Sequence, residues 1–130
     1  MNTEDFFKHF IGLPQLSVIR ENTKGEEGVH FSEMLQALAV RITLMPKTYE
    51  TDGQGEAAVV SLHYFKGGMD WYIVERDLEP ERLQAFGYAD IGYGPEAGYI
   101  SIEELLENDV ELDLYWTPRP WGEVKKAAAA

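Results

Sequence analysis

Hydrophobic residues near the start of the chain recur with helical spacing. Apolar positions 6, 7, 10 and 11 share one face of a first helix, which Thr3 caps and Gly12 and Pro14 end. Ser32 opens a second helix with an apolar stripe at positions 34, 35, 38 and 39. Residues 40–44 also fit the alternation of a strand, so the end of that helix stays open. Between the helices, Val18 and Ile19 predict a short strand and residues 21–28 a loop.

The second half of the chain has the pattern of a sheet. Runs rich in β-formers alternate with turn residues, and Gly67-Gly68 predicts a hairpin. The predicted strands cover residues 57–65, 70–76, 84–91, 97–100 and 111–116, with a connector at 78–82. Ser101 and Glu104 have capping-box spacing and predict a helix to about Asn108. Pro118 and Pro120 are expected to end regular structure.

These elements predict the α+β class, with N-terminal helices followed by a mainly antiparallel sheet of about five strands. One helix is inserted before the last strand. Residues 1–126 are expected to form a single domain, since 130 residues fit one domain and no linker interrupts them. Residues 127–130 are alanines, which we expect to be, at least in part, a remnant added for expression.

The net charge of the chain gives the most information about its function. The chain has 23 acidic and 11 basic residues, a formal charge of −12. Direct binding to nucleic acid or to an anionic membrane surface is disfavoured, because both need lysine and arginine. A basic protein surface is the favoured partner. The absence of cysteine and of a signal-peptide pattern at Met1–Asp5 predicts a cytoplasmic protein.

Most of the charge lies in residues 75–113, which hold twelve acids and only Arg76 and Arg82 as bases. Such a field imitates a phosphate track and pairs with arginine and lysine. A solubilising surface is the alternative interpretation. The acids predicted to bind the partner are Glu75, Asp77, Glu79, Glu81, Asp90, Glu96, Glu103, Glu104, Glu107 and Asp109. Trp121, which follows two prolines, is predicted to be an exposed aromatic anchor of the same interface.

The sequence gives weaker support for catalysis or metal binding. Glu75 and Asp77 alternate along one strand, and together with Glu96 they are candidates for a divalent metal or an acid–base pair. The alternative is that Glu75 is a hydrogen-bond acceptor within the fold. The three histidines are scattered without the i, i+4 spacing of a helical metal site, and no nucleophile motif is present. We therefore expect no cofactor and no catalysis.

Four stretches of the second half resemble a small family of unknown function carried on conjugative plasmids and phages. The family pattern is W-Y-x-x-E, then F-F-G, then E-L-G-Y-F-S-L-x-E-L, then D-L-Y-F-x-P. The matching stretches are residues 71–75, 85–87, 96–105 and 113–118. Ala97 and Trp116 depart from the pattern but stay hydrophobic.

The resemblance covers residues 57–118, whereas residues 1–40 differ from the short N-terminus of the family and are candidates for a partner-specific part. It implies a mobile-element protein and assigns no activity. By analogy with other small acidic proteins of such elements, we expect a non-enzymatic inhibitor of a host CRISPR or restriction system that occupies a basic surface. The alternatives are a metal-assisted small enzyme and an adaptor domain that binds protein through an apolar patch.

Overall fold

The computed structural model describes residues 3–77 and 84–129. Within these ranges the chain forms five α-helices: α1 (Thr3–Phe7), α2 (Leu13–Asn22), α3 (Gly28–Leu44), α4 (Ile102–Glu107) and α5 (Trp121–Ala129). It also forms seven strands: β1 (Val59–Val60), β2 (Leu62–Lys66), β3 (Met69–Arg76), β4 (Gln84–Asp90), β5 (Glu96–Ser101), β6 (Glu111–Leu112) and β7 (Arg119–Pro120). None of the described helices is long and apolar enough to cross a membrane.

The main sheet is antiparallel and has five strands in the order β5-β4-β3-β2-β6. Helices precede it in the chain, and α4 precedes its last strand, β6. The predicted α+β class and the inserted helix are therefore confirmed. The last strand is shorter than predicted, because the chain leaves the sheet after Leu112. A second, two-stranded sheet pairs β1 with β7.

One face of the main sheet supports the larger core. Leu62, Tyr64 and Ile73 from the sheet are buried with residues of α1–α4 such as Ile42 and Leu105. The Tyr64 hydroxyl donates to the Phe10 carbonyl at 2.6 Å, because a buried hydroxyl needs a partner. This bond ties the N-terminal helices to the centre of the sheet.

The opposite face of the sheet is covered by α5. Val60, Tyr72, Val74 and Trp116 form a second core there with Trp121, whose ring stacks on that of Tyr88 at 3.9 Å between centroids. The Trp121 backbone N–H donates to the Ala58 carbonyl at 2.8 Å. Two predictions are corrected here. Regular structure continues after Pro120, and Trp121 is 3% exposed because its ring fills this second core.

A β-bulge lies in β3 between Ile73 and Glu75. After it, Glu75 pairs with Phe86 and Arg76 pairs with Ala85, so the two charged residues take opposite faces, both buried. Arg76 donates from Nε to the Ile42 carbonyl at 2.9 Å. Burial lowers the pKa of Arg76 from its ordinary value.

In the first half of the chain, one further prediction is wrong and one open boundary is resolved. Val18 and Ile19 belong to α2 rather than to a strand, since Leu16 and Ile19 are buried one helical turn apart. Residues 40–44 belong to α3, in which Leu38 and Ile42 are buried at i, i+4. Helix formation also takes in residues 21, 22 and 28 of the predicted loop. The predicted connector at 78–82 lies outside the described residues.

Candidate functional site

Helix α4 presents the densest group of exposed acids. Ser101 caps it, with Oγ accepting from the Glu104 backbone N–H at 3.2 Å, as its sequence spacing predicts. Ile102 and Leu105 are buried against the sheet, which leaves Glu103, Glu104 and Glu107 exposed. Acids in a first helical turn are stabilised by the N-terminal end of the helix dipole. The fold therefore supports Glu103 and Glu104 without a basic partner.

The C-terminal end of α4 adds Asp109, which is exposed. Its φ is +58°, the left-handed conformation in which helices commonly place glycine. The Asp109 N–H donates to the Leu106 carbonyl and the Val110 N–H to that of Leu105, which completes a Schellman motif. An aspartate there is unfavourable twice, through its φ and through its charge beside the negative end of the helix dipole.

A groove of about 480 Å³ runs between α4 and the turn that joins α1 to α2. Glu103 and Glu107, one helical turn apart, lie on one side, and exposed Leu13 lies on the other. We call this feature the α4 groove; its lining residues are Lys8, His9, Gly12, Leu13, Pro14, Glu103, Leu106 and Glu107.

The acids of this surface form no ion pair within the described part of the chain. Lys8, which lines the groove, pairs with Asp5 at 3.3 Å. Among the described residues, no ion pair within 4.0 Å involves Glu103, Glu104, Glu107, Asp109 or Glu111. Residues 83–118 contain no lysine, arginine or histidine, and Lys66, which reaches the end of α4, donates from Nζ to the Asn108 carbonyl at 2.6 Å. The negative charge of α4 is therefore directed at solvent.

Asp90 and Glu96 form a separate acidic group at the β4–β5 hairpin. Glu96 pairs with Ala89, whereas Ser101, at the start of α4, pairs with Gln84 at the far end of β5. Five residues of extended strand separate these two points by about 17 Å. Glu96 is exposed, and Asp90 is half-buried, with Oδ1 accepting from the Gly92 N–H at 2.9 Å. The predicted acids therefore do not form one cluster.

Glu75 and Asp77 have roles inside the fold. Glu75 is 3% exposed; Oε1 accepts from the Tyr49 N–H, and Oε2 accepts from the Thr51 N–H and hydroxyl. Its prediction as a partner contact is therefore corrected, because the bulge turns its carboxylate toward the loop at 49–51. The alternative role as an internal acceptor is confirmed. Asp77 is half-buried and accepts from the Thr48 hydroxyl at 2.9 Å. Glu79 and Glu81 lie outside the described residues.

The candidate metal set of Glu75, Asp77 and Glu96 is not assembled. In residues 3–77 and 84–129, no three histidine, aspartate or glutamate side chains are grouped as metal ligands. Both oxygens of Glu75 already accept hydrogen bonds from the protein.

His63 forms an interaction that sequence reasoning missed. Its Nε2 lies 2.8 Å from Asp70 Oδ1 and its Nδ1 lies 3.0 Å from Asp113 Oδ2. The ring stacks on Tyr72, with centroids 5.0 Å apart and an angle of 11° between the planes. Each ring nitrogen therefore lies within hydrogen-bonding distance of a carboxylate of this chain. The ring bridges the segment after β6 to β3.

A signal for this bridge was present in the sequence. The two-residue turn Gly67-Gly68 fixes the hairpin register, so His63 pairs with Tyr72 and Phe65 with Asp70. Asp70 is then a diagonal neighbour of His63 on the same face. Burial, followed by the charges of Asp70 and Asp90, raises the pKa of the Tyr72 hydroxyl, and Arg119 opposes that shift.

No protein-family model, curated protein or solved structure matches this chain.

Proposed function

We propose that this chain is a non-enzymatic binding protein of a mobile element that inhibits a host defence protein acting on nucleic acid, of the CRISPR or restriction type, by occupying its basic surface. The observation that carries the proposal is the row of exposed acids along α4, Glu103, Glu104, Glu107 and Asp109, which lack counter-ions in the described part of the chain. The family resemblance of residues 57–118 supports the mobile-element setting.

The α4 groove has the chemistry to hold an arginine or lysine of the partner. The aliphatic stem of such a side chain would lie on Leu13 and Leu106, while its charged end would reach Glu103 or Glu107. Charge-assisted hydrogen bonds of this kind are about twice as strong as neutral ones. Nucleic acid uses the same arginines and lysines of the partner, so the two ligands would compete.

Asp109 gives independent support. A glycine at this position would favour the fold, yet the chain has an acid there that lengthens the negative surface of α4. Such a local conflict between stability and charge is typical of functional positions.

The test compares two triple charge reversals of equal size. The first changes Glu103, Glu104 and Glu107 to lysine, and the control changes the exposed Asp52, Glu56 and Glu123 to lysine. Each moves the net charge from −12 to −6. Each immobilised protein is exposed to a host extract, and proteins that bind are eluted with a salt gradient and assayed for competition with a labelled DNA duplex.

We expect the α4 reversal to abolish capture of a protein whose DNA binding the native chain inhibits, and the control reversal to retain it. Elution should begin well below 1 M salt, because screening shortens the Debye length from about 10 Å at 0.1 M to about 3 Å at 1 M. Equal capture by the two variants, or capture unaffected by salt, would show that the acids of α4 serve solubility only.

A further inference from the structure

Strand β5 is an open edge of the main sheet. It is the terminal strand in the order β5-β4-β3-β2-β6. Within the described part of the chain, the backbone of residues 96–100 forms hydrogen bonds with β4 alone. Alternate N–H and C=O groups of an edge strand point away from its neighbour, so those of β5 are available to another strand.

The sequence of β5 lacks the usual protection of an edge. Natural edge strands carry lysine, proline or a bulge that prevents pairing with another chain. β5 reads EAGYIS, pairs in regular register with β4, and has Glu96 as its single charged residue. Gly98 and Ala97 leave its middle without bulky side chains.

A cavity of about 240 Å³ lies beside this edge. It is lined by residues 96–100 and by Ala89, Ile91, Tyr93 and Gly94. Ile91 and Tyr93 are exposed, with 58% and 89% of their surface accessible. Its shape follows from small residues, because a Cβ added to Gly98 would meet no atom within 4 Å. The cavity therefore has room for one apolar side chain of a strand paired with β5.

Tyr99, which also lines this cavity, belongs to an exposed aromatic surface. Tyr99 is 57% exposed and its hydroxyl lies 3.5 Å from that of Tyr49, which is also exposed. Alternate residues of a paired strand would thus lie opposite Gly98 and Ile100 on one face and opposite Ala97 and Tyr99 on the other.

We propose that β5 binds an extended peptide segment of a partner protein by strand addition, with an apolar residue in the cavity and a basic residue opposite Glu96. Main-chain hydrogen bonds give affinity in this mode, and pockets for alternate side chains give specificity. Electrostatics favours a basic strand of a partner protein over a second copy of this chain. A second copy of this chain would bring another −12 and its own Glu96 to the edge, whereas a basic strand is attracted. The site is separate from the α4 groove and does not depend on it.

The probe is an acetylated and amidated hexapeptide of sequence TVTVTK. Paired antiparallel to β5, it places valines opposite Ile100 and Gly98 and its lysine opposite Glu96. Two control peptides test the mode: TVTVTE reverses the charge, and a version methylated on alternate backbone nitrogens cannot pair as a strand. Binding is followed by NMR, through the amide shifts of the full chain.

Two protein variants distinguish the effect of blocking the cavity from the nonspecific effect of adding a leucine to the surface. Gly98→Leu fills the cavity, and it should fold because its Cβ has open space and its φ is not in the left-handed region. Gly68→Leu adds the same side chain at the β2–β3 turn, where the Cβ also meets nothing within 4 Å. Sharp, dispersed NMR spectra establish that both variants are folded.

We expect TVTVTK to shift the amides of residues 96–101, and Gly98→Leu to weaken its binding by about tenfold or more, which corresponds to about 1.4 kcal/mol. Gly68→Leu should bind normally, and both control peptides should bind more weakly than TVTVTK. The proposal is overturned if the methylated peptide binds equally well or if the shifts map to the α4 groove. It is also overturned if the amides of β5 shift with protein concentration alone, which would show that a second copy covers the edge.

Discussion

The carboxylate of Glu75 fixes the backbone of Thr51. Oε2 accepts from the Thr51 N–H at 2.9 Å and also from its hydroxyl, while Oε1 accepts from the neighbouring Tyr49 N–H. Tyr49 has a φ of +71°, an uncommon conformation for a residue other than glycine. A buried acid in the sheet thus holds a loop that the local sequence does not favour.

Replacing this acid with its amide should lower stability. Glu75→Gln places an NH₂ donor against backbone N–H donors, so we expect the free energy of unfolding to fall by about 2–3 kcal/mol. Urea unfolding measures the change. Asp77→Asn is the matched control, since Asp77 is half-buried and accepts one bond, from Thr48, and it should cost about 1 kcal/mol. A loss no larger for Glu75→Gln than for the control would contradict the assigned role.

Replacing Asp109 with glycine should raise the stability of the protein and weaken its binding to the partner. Asp109→Gly relieves a positive φ and removes a negative charge from the C-terminal end of α4, so unfolding should need about 1 kcal/mol more. The thermal midpoint should rise by about 4 °C. Capture of the host protein should become weaker in the same variant. Unchanged stability would mean that Asp109 is not strained, and unchanged capture would remove it from the interface.

The His63–Asp113 contact should appear as a coupling energy. His63→Ala, Asp113→Asn and the double variant form a cycle that isolates this pair. We expect each single change to cost about 1–2 kcal/mol and the coupling to be about 1 kcal/mol. Chemical denaturation at neutral pH provides the values. Additive losses would show that the 3.0 Å contact contributes nothing to folding.

Alkaline pH should weaken the fold through Tyr64. Burial raises the pKa of its hydroxyl above the ordinary value of 10.0, so the folded protein keeps a proton that the unfolded chain loses. The stabilising contribution is complete below pH 10 and is lost as the pH rises above it. Tyr64→Phe should cost about 1 kcal/mol at pH 7, through the lost bond to Phe10, and should show a smaller decline above pH 10.

Unfolding curves at several pH values from 7 to 11 test this expectation. Tyr115→Phe is the control, because Tyr115 is 71% exposed and should leave the alkaline decline unchanged. Parallel declines for the native chain and Tyr64→Phe would show that other groups cause alkaline unfolding.

Sequence patterns predicted the second half of the fold well, because its strands are joined by short turns. Gly67-Gly68 and the alternation in residues 62–76 determine one hairpin register, and Ser101 determines where α4 begins. Helix α2 was missed because only Leu16 and Ile19 are buried, while Val18 and Leu13 are exposed. Tertiary packing, rather than periodicity, makes that segment helical.

The site was predicted less completely for a different reason. The acids of α4 follow from a helix with one buried side, so their exposure could be predicted from residues 101–107. The burial of Glu75 could not, because it depends on the bulge and on N–H groups of residues 49 and 51, distant in sequence. Trp121 was misplaced since the two prolines before it concealed a helix that covers the second face of the sheet.

The position of α5 has a consequence for synthesis of the protein on the ribosome. The strands that carry Tyr72 and Tyr88 emerge more than thirty residues before Trp121, which stacks on Tyr88. Until then, one aromatic face of the sheet has no cover, although the N-terminal helices can already bury the other. A nascent chain halted before Trp121 would therefore expose this apolar surface. Chaperones and other nascent chains translated from the same mRNA could then bind to it.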